Sequence, residues 1–299
     1  MHNSLEKQKY PGSAFLKFLI YFCSCLTFLV LIFLIAYILI NGIPHINLDL
    51  FALKYTSDNA SVIPALINTV VMTLLSLLLA VPIGIFSAIF LVEYAKRGNK
   101  LVEIVRMTTE TLQGIPSIIY GLFGMLFFVN RLGWGFSIIS GAFTLAIMIL
   151  PLIMRTTEEA LKSVPDLYRE GSFGLGAGKL RTVFKIVLPA AMPGILAGII
   201  LAIGRIVGET AALIYTSGTV AKAAEGLFRP GRTLAIHMYL LANEGLYMDQ
   251  AYATAIVLHY PHILPKRSHR HRKEQHEQNQ CQRLRSLLRR FQSFKKYQY

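Results

Sequence analysis

Two opposite charges lie near the middle of an otherwise apolar segment, residues 190–216. Arg205 and Glu209 are four positions apart, so on a continuous helix they would share one face and pair, which lowers the cost of holding either charge in a membrane. One interpretation is that the pair only fixes helix packing. The other is that Arg205 attracts an anion, and Glu209 neutralises or orients that guanidinium between binding events. Neither interpretation requires bond-making chemistry.

Weaker candidates for polar side chains that line a pathway are Asn68, Thr69, Gln113 and Ser117. The last two flank a proline that is expected to interrupt an apolar helix, and broken helices present polar backbone near transport sites. The alternative is that these side chains bond to neighbouring helices. His237 is expected in an outer loop, as a surface or helix-packing residue.

Residues 155–189, called the docking loop below, form a charged, glycine-rich stretch between two apolar segments. Ser163 and Asp166 have the spacing of a capping box and predict the start of a short helix. The glycines that follow permit a tight turn pressed against another surface. A second helix is then predicted, with its end at Pro189 and with four apolar residues on one face: Leu180, Val183, Phe184 and Val187.

The elements that must position these residues are membrane helices. Hydrophobic residues make up 54% of the 299 and charged residues 15%, with a mean hydropathy of +0.50. Most of the apolar segments approach or exceed the ~20 residues that cross a bilayer as a helix. The third is short, so it is extended back to Thr108. The segments are 18–40, 63–92, 115–129, 136–154 and 190–216.

The distribution of Lys and Arg predicts the topology of these helices. Thirteen lie before residue 18 and within 93–114 and 155–189, against five in the intervening connections. By the positive-inside rule, the N-terminus and the docking loop are expected in the cytoplasm. The first segment is too long for a signal peptide and is expected to be a retained anchor.

The docking loop also carries residues at a fixed spacing, E-G-S-x3-G-x9-I-x-L-P: Glu170, Gly171, Ser172, Gly176, Ile186, Leu188 and Pro189. This resembles the E-A-A-x3-G-x9-I-x-L-P loop of ABC importer permeases, with small Gly and Ser in place of two Ala. The resemblance implies that these residues form the surface on which a cytoplasmic ATPase docks.

Three further stretches, residues 114–124, 204–212 and 232–237, look like those of phosphate-importer permeases. This resemblance covers about residues 15–258. It implies an all-α, six-helix subunit that moves inorganic phosphate by alternating access, with Arg205 and Glu209 in the translocation path. A permease for another oxyanion or small solute and a passive anion channel are the alternatives. An intramembrane enzyme would need a metal-ligand or nucleophile–base set, which we do not find among the apolar segments.

The same resemblance implies the partners: a second, related permease, two ATP-binding subunits and an extracytoplasmic phosphate-binding protein. The chain has no G-x-x-x-x-G-K-[ST] phosphate loop, so ATP and Mg²⁺ are expected in the partner subunits. The three cysteines have no metal-ligand spacing, and no cofactor or metal is expected in this chain. We expect a multi-pass protein of a bacterial or archaeal plasma membrane, in contact with lipid and not with nucleic acid.

The chain departs from the family after Leu258. Residues 1–17 form the predicted N-terminal tail and 18–258 the permease domain, but the sixth helix is expected to be interrupted from His259. Residues 259–299 contain 11 Lys and Arg and two acids. This segment could be a natural basic arm, a disordered tail or the product of a shifted reading frame. The abrupt change of composition within an unfinished helix favours the third.

Overall fold

We describe the fold from a computed structural model, which covers residues 11–56, 59–95, 98–245 and 247–263. Every regular element in those residues is helical, as the sequence predicts. The α-helices are α1 Pro11–Gly42, α2 Ile63–Ile89, α3 Lys100–Gln113, α4 Ser117–Gly124, α5 Ile138–Lys162, α6 Asp166–Gly174, α7 Lys179–Thr182, α8 Leu188–Val207, α9 Ala211–Ile214, α10 Leu234–Glu244 and α11 Met248–Ile263.

Three helices carry a π-helical turn. Phe90–Tyr94 extends α2, Met125–Arg131 extends α4, and Val183–Val187 joins α7 to α8. Two short 3₁₀ turns, Ile43–His45 and Leu48–Phe51, follow α1. Because the third π turn leaves no gap, α7 and α8 form one helix, Lys179–Val207, of 29 residues.

The predicted end of a helix at Pro189 is therefore wrong. Pro189 lies in the first turn of α8, directly after the π turn. A proline removes one backbone donor, but the π turn already shifts the hydrogen-bond register there, so the helix continues.

Four helical stretches within the described residues are long and apolar enough to cross a membrane: Phe15–His45, Ile63–Tyr94, Ile138–Lys162 and Lys179–Val207. A fifth candidate is broken, since α3 meets the helix Ser117–Arg131 at an angle of 101°. The predicted extension back to Thr108 lies in α3, on the other side of this bend. Pro116 has extended backbone, with ψ 139°, and turns the chain away from the span.

The core of the bundle is built around α5, which packs between α2 and α8. Large side chains of α5 have almost no exposed surface, among them Leu145, Ile149 and Ile153. Helix α1 has no buried residues within its apolar window, so its surface is left for lipid or for another subunit.

Helix α4 of the broken span packs closely on α9, next to a second helix break. Helix α8 ends at Val207, and α9 begins at Ala211, four residues later. A Cβ added to Gly121 of α4 would lie 2.7 Å from the Cα of Ala212 in α9. Only glycine permits this approach. The sequence expectation of one apolar segment over residues 190–216 is therefore corrected to a helix, a break and a short helix that packs on α4.

The final helix continues further than the sequence predicts. Helix α11 runs from Met248 to Ile263, so its backbone stays helical past His259, where an interruption is predicted. Its 16 residues are still fewer than the ~20 needed to cross hydrocarbon. Residues 264–299, which hold most of the predicted basic tail, and residues 1–10 of the N-terminal tail lie outside the described residues.

Candidate functional site

The turn of the docking loop is formed by α6, α7 and the residues between them. Gly176 has φ +80°, a left-handed conformation that favours glycine. Ser172 is buried, and its hydroxyl lies 2.8 Å from that of Thr182, which ties α6 to α7. The small residue at position 172 thus faces inward, whereas Glu170 and Gly171 are exposed.

The predicted capping box is not formed. The Ser163 hydroxyl donates to the carbonyl oxygen of Ala160 instead, at 2.8 Å, and the residue that precedes α6 is Pro165. The short helix begins at Asp166 as expected, but proline geometry sets its start, because Pro165 holds its backbone extended.

A largely buried ion pair that the sequence did not reveal fastens α6 to the end of α2. The Nη2 and Nε atoms of Arg169 lie 2.7 and 3.1 Å from Oε1 of Glu93. Arg169 also donates to the carbonyl oxygens of Leu161 and Val164, at 3.0 and 2.8 Å. The two charged residues are 76 positions apart, and only the fold brings them together. The guanidinium therefore joins α6 to both α2 and the end of α5.

The outward face of the docking loop is apolar. Leu175 is 91% exposed at the tip, and Leu167 and Leu180 are 77% and 67% exposed. Of the apolar face predicted for the second helix, Val183 and Val187 are buried, while Leu180 and Phe184 face out. Ile186 and Leu188 are half-buried, and Pro189 is exposed. Exposed leucines beside a rigid turn suit a protein–protein contact.

A cavity of about 720 Å³ lies beside α6 and is bordered by the ends of α2 and α5 and by α3. Its lining carries both signs of charge, including Glu93 and Arg169. Arg106 of α3 lies 2.8 Å from Glu158 of α5, which also lies 2.6 Å from Lys162. Ion pairs thus hold α3 to α5 around this space.

The predicted pairing of Arg205 with Glu209 is wrong, because α8 ends between them. Oε1 of Glu209 accepts a hydrogen bond of 3.0 Å from the backbone N–H of Ala212, so this nearly buried carboxylate caps α9. Arg205 is half-buried on the last turn of α8 and has no ion pair within the described residues. The break leaves the guanidinium available to another anion.

Both interrupted helices meet near Arg205. Its charge acts on the hydroxyl of Tyr120 in α4. That hydroxyl donates to the carbonyl oxygen of Leu112, at 2.8 Å, and so bridges the 101° bend. Nε2 of Gln113 donates to the carbonyl oxygen of Pro151 in α5, at 2.9 Å, and Ser117 is half-buried on the first turn of α4. Gln113 and Ser117 thus flank the bend as predicted, and their place in a substrate path stays a prediction.

Asn68 is engaged with backbone at the other end of α2. Its Nδ2 donates to the carbonyl oxygens of Lys222 and Arg232, both at 3.1 Å, and its Oδ1 accepts from the N–H of Ala224 at 2.9 Å. Thr69 accepts a bond from the N–H of Leu234. These contacts favour the alternative of bonding to neighbouring chain segments over pathway lining.

His237 lies on α10 and has no exposed surface, so the expected position in an outer loop is wrong and the helix-packing alternative is confirmed. Burial first, and then the charge of Arg232, lower the pKa of His237 to about 4. No group of three or more His, Cys, Asp or Glu side chains within the described part of the chain could hold a metal ion.

Comparison with known proteins gives a consistent set of relatives. The chain is 34% identical over 242 residues to the "Probable ABC transporter permease protein YqgI" of Bacillus subtilis, covering 76% of this chain and 82% of that protein. It is 34% identical over 223 residues to the "Phosphate transport system permease protein PstA" of Xylella fastidiosa, covering 73% and 77%.

The fold also matches solved transporters. An alginate ABC transporter structure aligns with a TM-score of 0.61 at 19% identity, over 82% of this chain and 89% of the other. A structure of the MetNI methionine ABC transporter aligns with a TM-score of 0.53 at 22% identity, over 66% and 85%. Residues 80–242 match the family described as "Binding-protein-dependent transport system inner membrane component". This chain therefore belongs to the inner membrane component family of binding-protein-dependent transport systems.

Proposed function

We propose that this chain is a permease subunit of an ATP-driven phosphate importer and moves inorganic phosphate across the membrane by alternating access. The observation that carries the proposal is the half-buried guanidinium of Arg205, which has no ion pair within the described residues and lies where two broken helices meet. A cation held without a carboxylate attracts an oxyanion, and the relatives named as phosphate permeases supply the choice of phosphate.

Coupling would run along a single helix. The helix Lys179–Val207 begins in the docking loop and ends two residues after Arg205. Its 29 residues span about 43 Å at 1.5 Å per residue. When ATP closes the partner ATPases, the docking loop moves with them, and this helix carries the motion to Arg205. The ion pair between Arg169 and Glu93 transmits the same motion to α2.

Arg205 and Glu209 have different roles in this proposal. Arg205 binds the phosphate oxygens, while Glu209 holds the start of α9 through the N–H of Ala212. Tilting α8 relative to α9 alters the distance between the guanidinium of Arg205 and the bound phosphate. The two states then differ in phosphate affinity, which is the condition for coupling transport to a conformational change.

The proposed assembly contains a second, related permease, two ATP-binding subunits with their ATP and Mg²⁺, and an extracytoplasmic phosphate-binding protein. The N-terminus and the docking loop would lie in the cytoplasm. The exposed surface of α1 and the exposed leucines of the docking loop supply unburied apolar area for contact with lipid and with partner subunits. The chain itself would hydrolyse nothing.

A permease for another oxyanion or small solute is the second candidate, since the relative from Bacillus subtilis is named only as a probable ABC transporter permease. A passive anion channel is less well supported, because a channel does not require an ATPase-docking surface.

Uptake of radiolabelled phosphate into vesicles, with and without ATP and the partner subunits, tests the proposal. We expect uptake only with ATP and the complete complex, and inhibition by excess unlabelled phosphate but not by sulfate. ATP-independent uptake would indicate a channel. ATP-dependent uptake of another oxyanion, without phosphate uptake, would contradict phosphate as the substrate.

A further inference from the structure

Beside the end of α2 opposite to the docking loop, the segment before α10 contains a buried arginine that has no carboxylate partner among the described residues. Arg232 is 6% exposed, and its Nε and Nη2 atoms are buried with no hydrogen-bond partner among the described residues. Its backbone is engaged, since its N–H donates to Val220 and its carbonyl oxygen accepts from Asn68. A buried cation with unpaired donors is costly, so these two atoms call for a ligand.

The geometry of the guanidinium specifies what kind of ligand. Nε and Nη2 form one edge of the planar group, and parallel donors along such an edge match two oxygens of a carboxylate or phosphate. The ring of Tyr55 lies over the same guanidinium, 4.6 Å from its carbon atom. The aromatic ring thus contacts the face of the guanidinium and not its edge.

Two neighbouring side chains add further polar atoms without partners. The hydroxyl of Thr233 and Nδ1 of His237 are both buried and unpaired. Nε2 of His237 lies 3.1 Å from the carbonyl oxygen of Ala60, which can only accept, so the proton is assigned to Nε2. Nδ1 is then an acceptor. Arg232 is near enough for its charge to lower the pKa of His237, second to burial.

We propose that the outer arginine cluster, formed by Tyr55, Arg232, Thr233 and His237, binds a protonated tetrahedral oxyanion at the end of the bundle opposite to the docking loop. The guanidinium edge donates to two oxygens, and a P–OH group donates to Nδ1 of His237. The N-terminus of α10, at Leu234, adds a favourable dipole. Hydrogen phosphate satisfies both requirements, whereas sulfate carries no proton to donate.

The choice of phosphate rests on the proposed function, but binding of an oxyanion at Arg232 does not. This cluster is separate from Arg205. Arg232 connects to the start of α2 through Asn68, whereas Arg205 belongs to the last turn of α8. The cluster would hold phosphate before it reaches the junction of the broken helices.

Equilibrium binding of radiolabelled phosphate tests this inference. We would use the full-length chain in its membrane complex, in lipid nanodiscs, without ATP and without the binding protein. The Arg205→Gln background removes binding at the proposed path site. In this background, the variants Arg232→Gln and Arg232→Lys are compared with the control Arg229→Gln, which removes an exposed arginine from the same loop.

We expect Arg232→Gln to weaken phosphate binding about 100-fold. Arg232→Lys keeps the charge but loses the two parallel N–H donors of the guanidinium, and it should weaken binding about 10-fold. Arg229→Gln should leave affinity unchanged, and sulfate at equal ionic strength should compete poorly. Thermal unfolding without phosphate checks that each variant is folded.

Equal phosphate affinity in the Arg232→Lys variant and its parent would overturn the site. Equal competition by sulfate would overturn the role given to His237.

Asp58 lies outside the described residues and is tested separately. If Asp58→Asn and Arg232→Gln change unfolding alike and the parent binds no phosphate, Arg232 pairs with that carboxylate and the inference fails. Binding that depends on Arg232 in a complex that imports no phosphate would overturn the proposed function alone.

Discussion

Two arginines, Arg169 and Arg232, lie at opposite ends of α2 and differ in what surrounds them. Arg169 contacts Glu93, Asp166 and two carbonyl oxygens. Arg232 has an aromatic ring on one face and two donors without hydrogen-bond partners among the described residues. A fully paired arginine fixes one arrangement of helices, while an unpaired one is stabilised by a ligand that can leave. The difference distinguishes the docking end, where Arg169 fixes the packing of helices, from the sites where an arginine is suited to bind an anion.

The largest effect is expected at the docking end. Gly176→Asp places a side chain and a charge on a backbone with φ +80°, and it should abolish ATP-dependent phosphate uptake while leaving membrane insertion intact. Gly171→Ala is the matched control, because a Cβ there meets no atom within 4 Å and should be tolerated. Uptake and membrane content of the complex are measured together. Normal uptake with Gly176→Asp, or with Glu170→Lys at the exposed carboxylate, would show that the turn is not the dock.

Arg205→Gln is expected to reduce phosphate uptake per assembled complex by about 10- to 100-fold, because one charge-assisted, bidentate contact is lost. Assembly should change little, since Glu209 bonds to Ala212 and not to Arg205. Arg131→Gln, which removes an exposed arginine, is the control. If uptake per complex stays normal while assembly falls, Arg205 is a packing residue like Arg169.

Removing one member of the pair between Arg169 and Glu93 should destabilise the docking end by about 3 kcal/mol, because the other charge is left largely buried. Arg169→Met and Glu93→Gln should each lower the thermal midpoint in detergent, and the double variant should lower it by less than the sum. Strictly additive shifts would mean that the two side chains do not act as a pair.

The last expected effect is a dependence of stability on pH, which appears only below neutral pH. His237 has a pKa of about 4 in the folded chain, below its ordinary 6.5, so the folded form stays neutral while the unfolded form takes up a proton. Stability should therefore be lost as the pH falls from about 6.5 towards 4, by up to roughly 3 kcal/mol. His237→Gln should remove this dependence. An unchanged pH profile in that variant would assign the effect to another group.

Apolar length and the positive-inside bias predict most of this fold from the sequence. They identify the long helices and the docking loop, because bilayer thickness sets a length that composition reveals directly. They do not reveal the helix across Pro189 or the end of α8 before Glu209. Both depend on backbone hydrogen-bond register, which a π turn or a helix break changes without altering hydropathy.

The candidate site was predictable in residue type but not in pairing. Arg205 is conspicuous because a charge in an apolar segment is costly. Its separation from Glu209 follows from the cap that Glu209 gives to α9. The role of Arg169 depends on Glu93, 76 positions away, and the backbone of Arg232 is held by Asn68, 164 positions away. No local pattern encodes such distances, although an isolated acid at the end of an apolar segment, as at Glu93, is a usable signal.

The unbroken helix from Lys179 to Val207 also has a consequence for how little movement transport would require. A rod about 43 Å long that tilts by about 5° around one end displaces the other end by about 4 Å. That displacement exceeds the length of a hydrogen bond. An adjustment at the ATPase contact that leaves the docking turn itself undeformed would thus suffice to make or break every contact of the Arg205 guanidinium with a bound oxyanion.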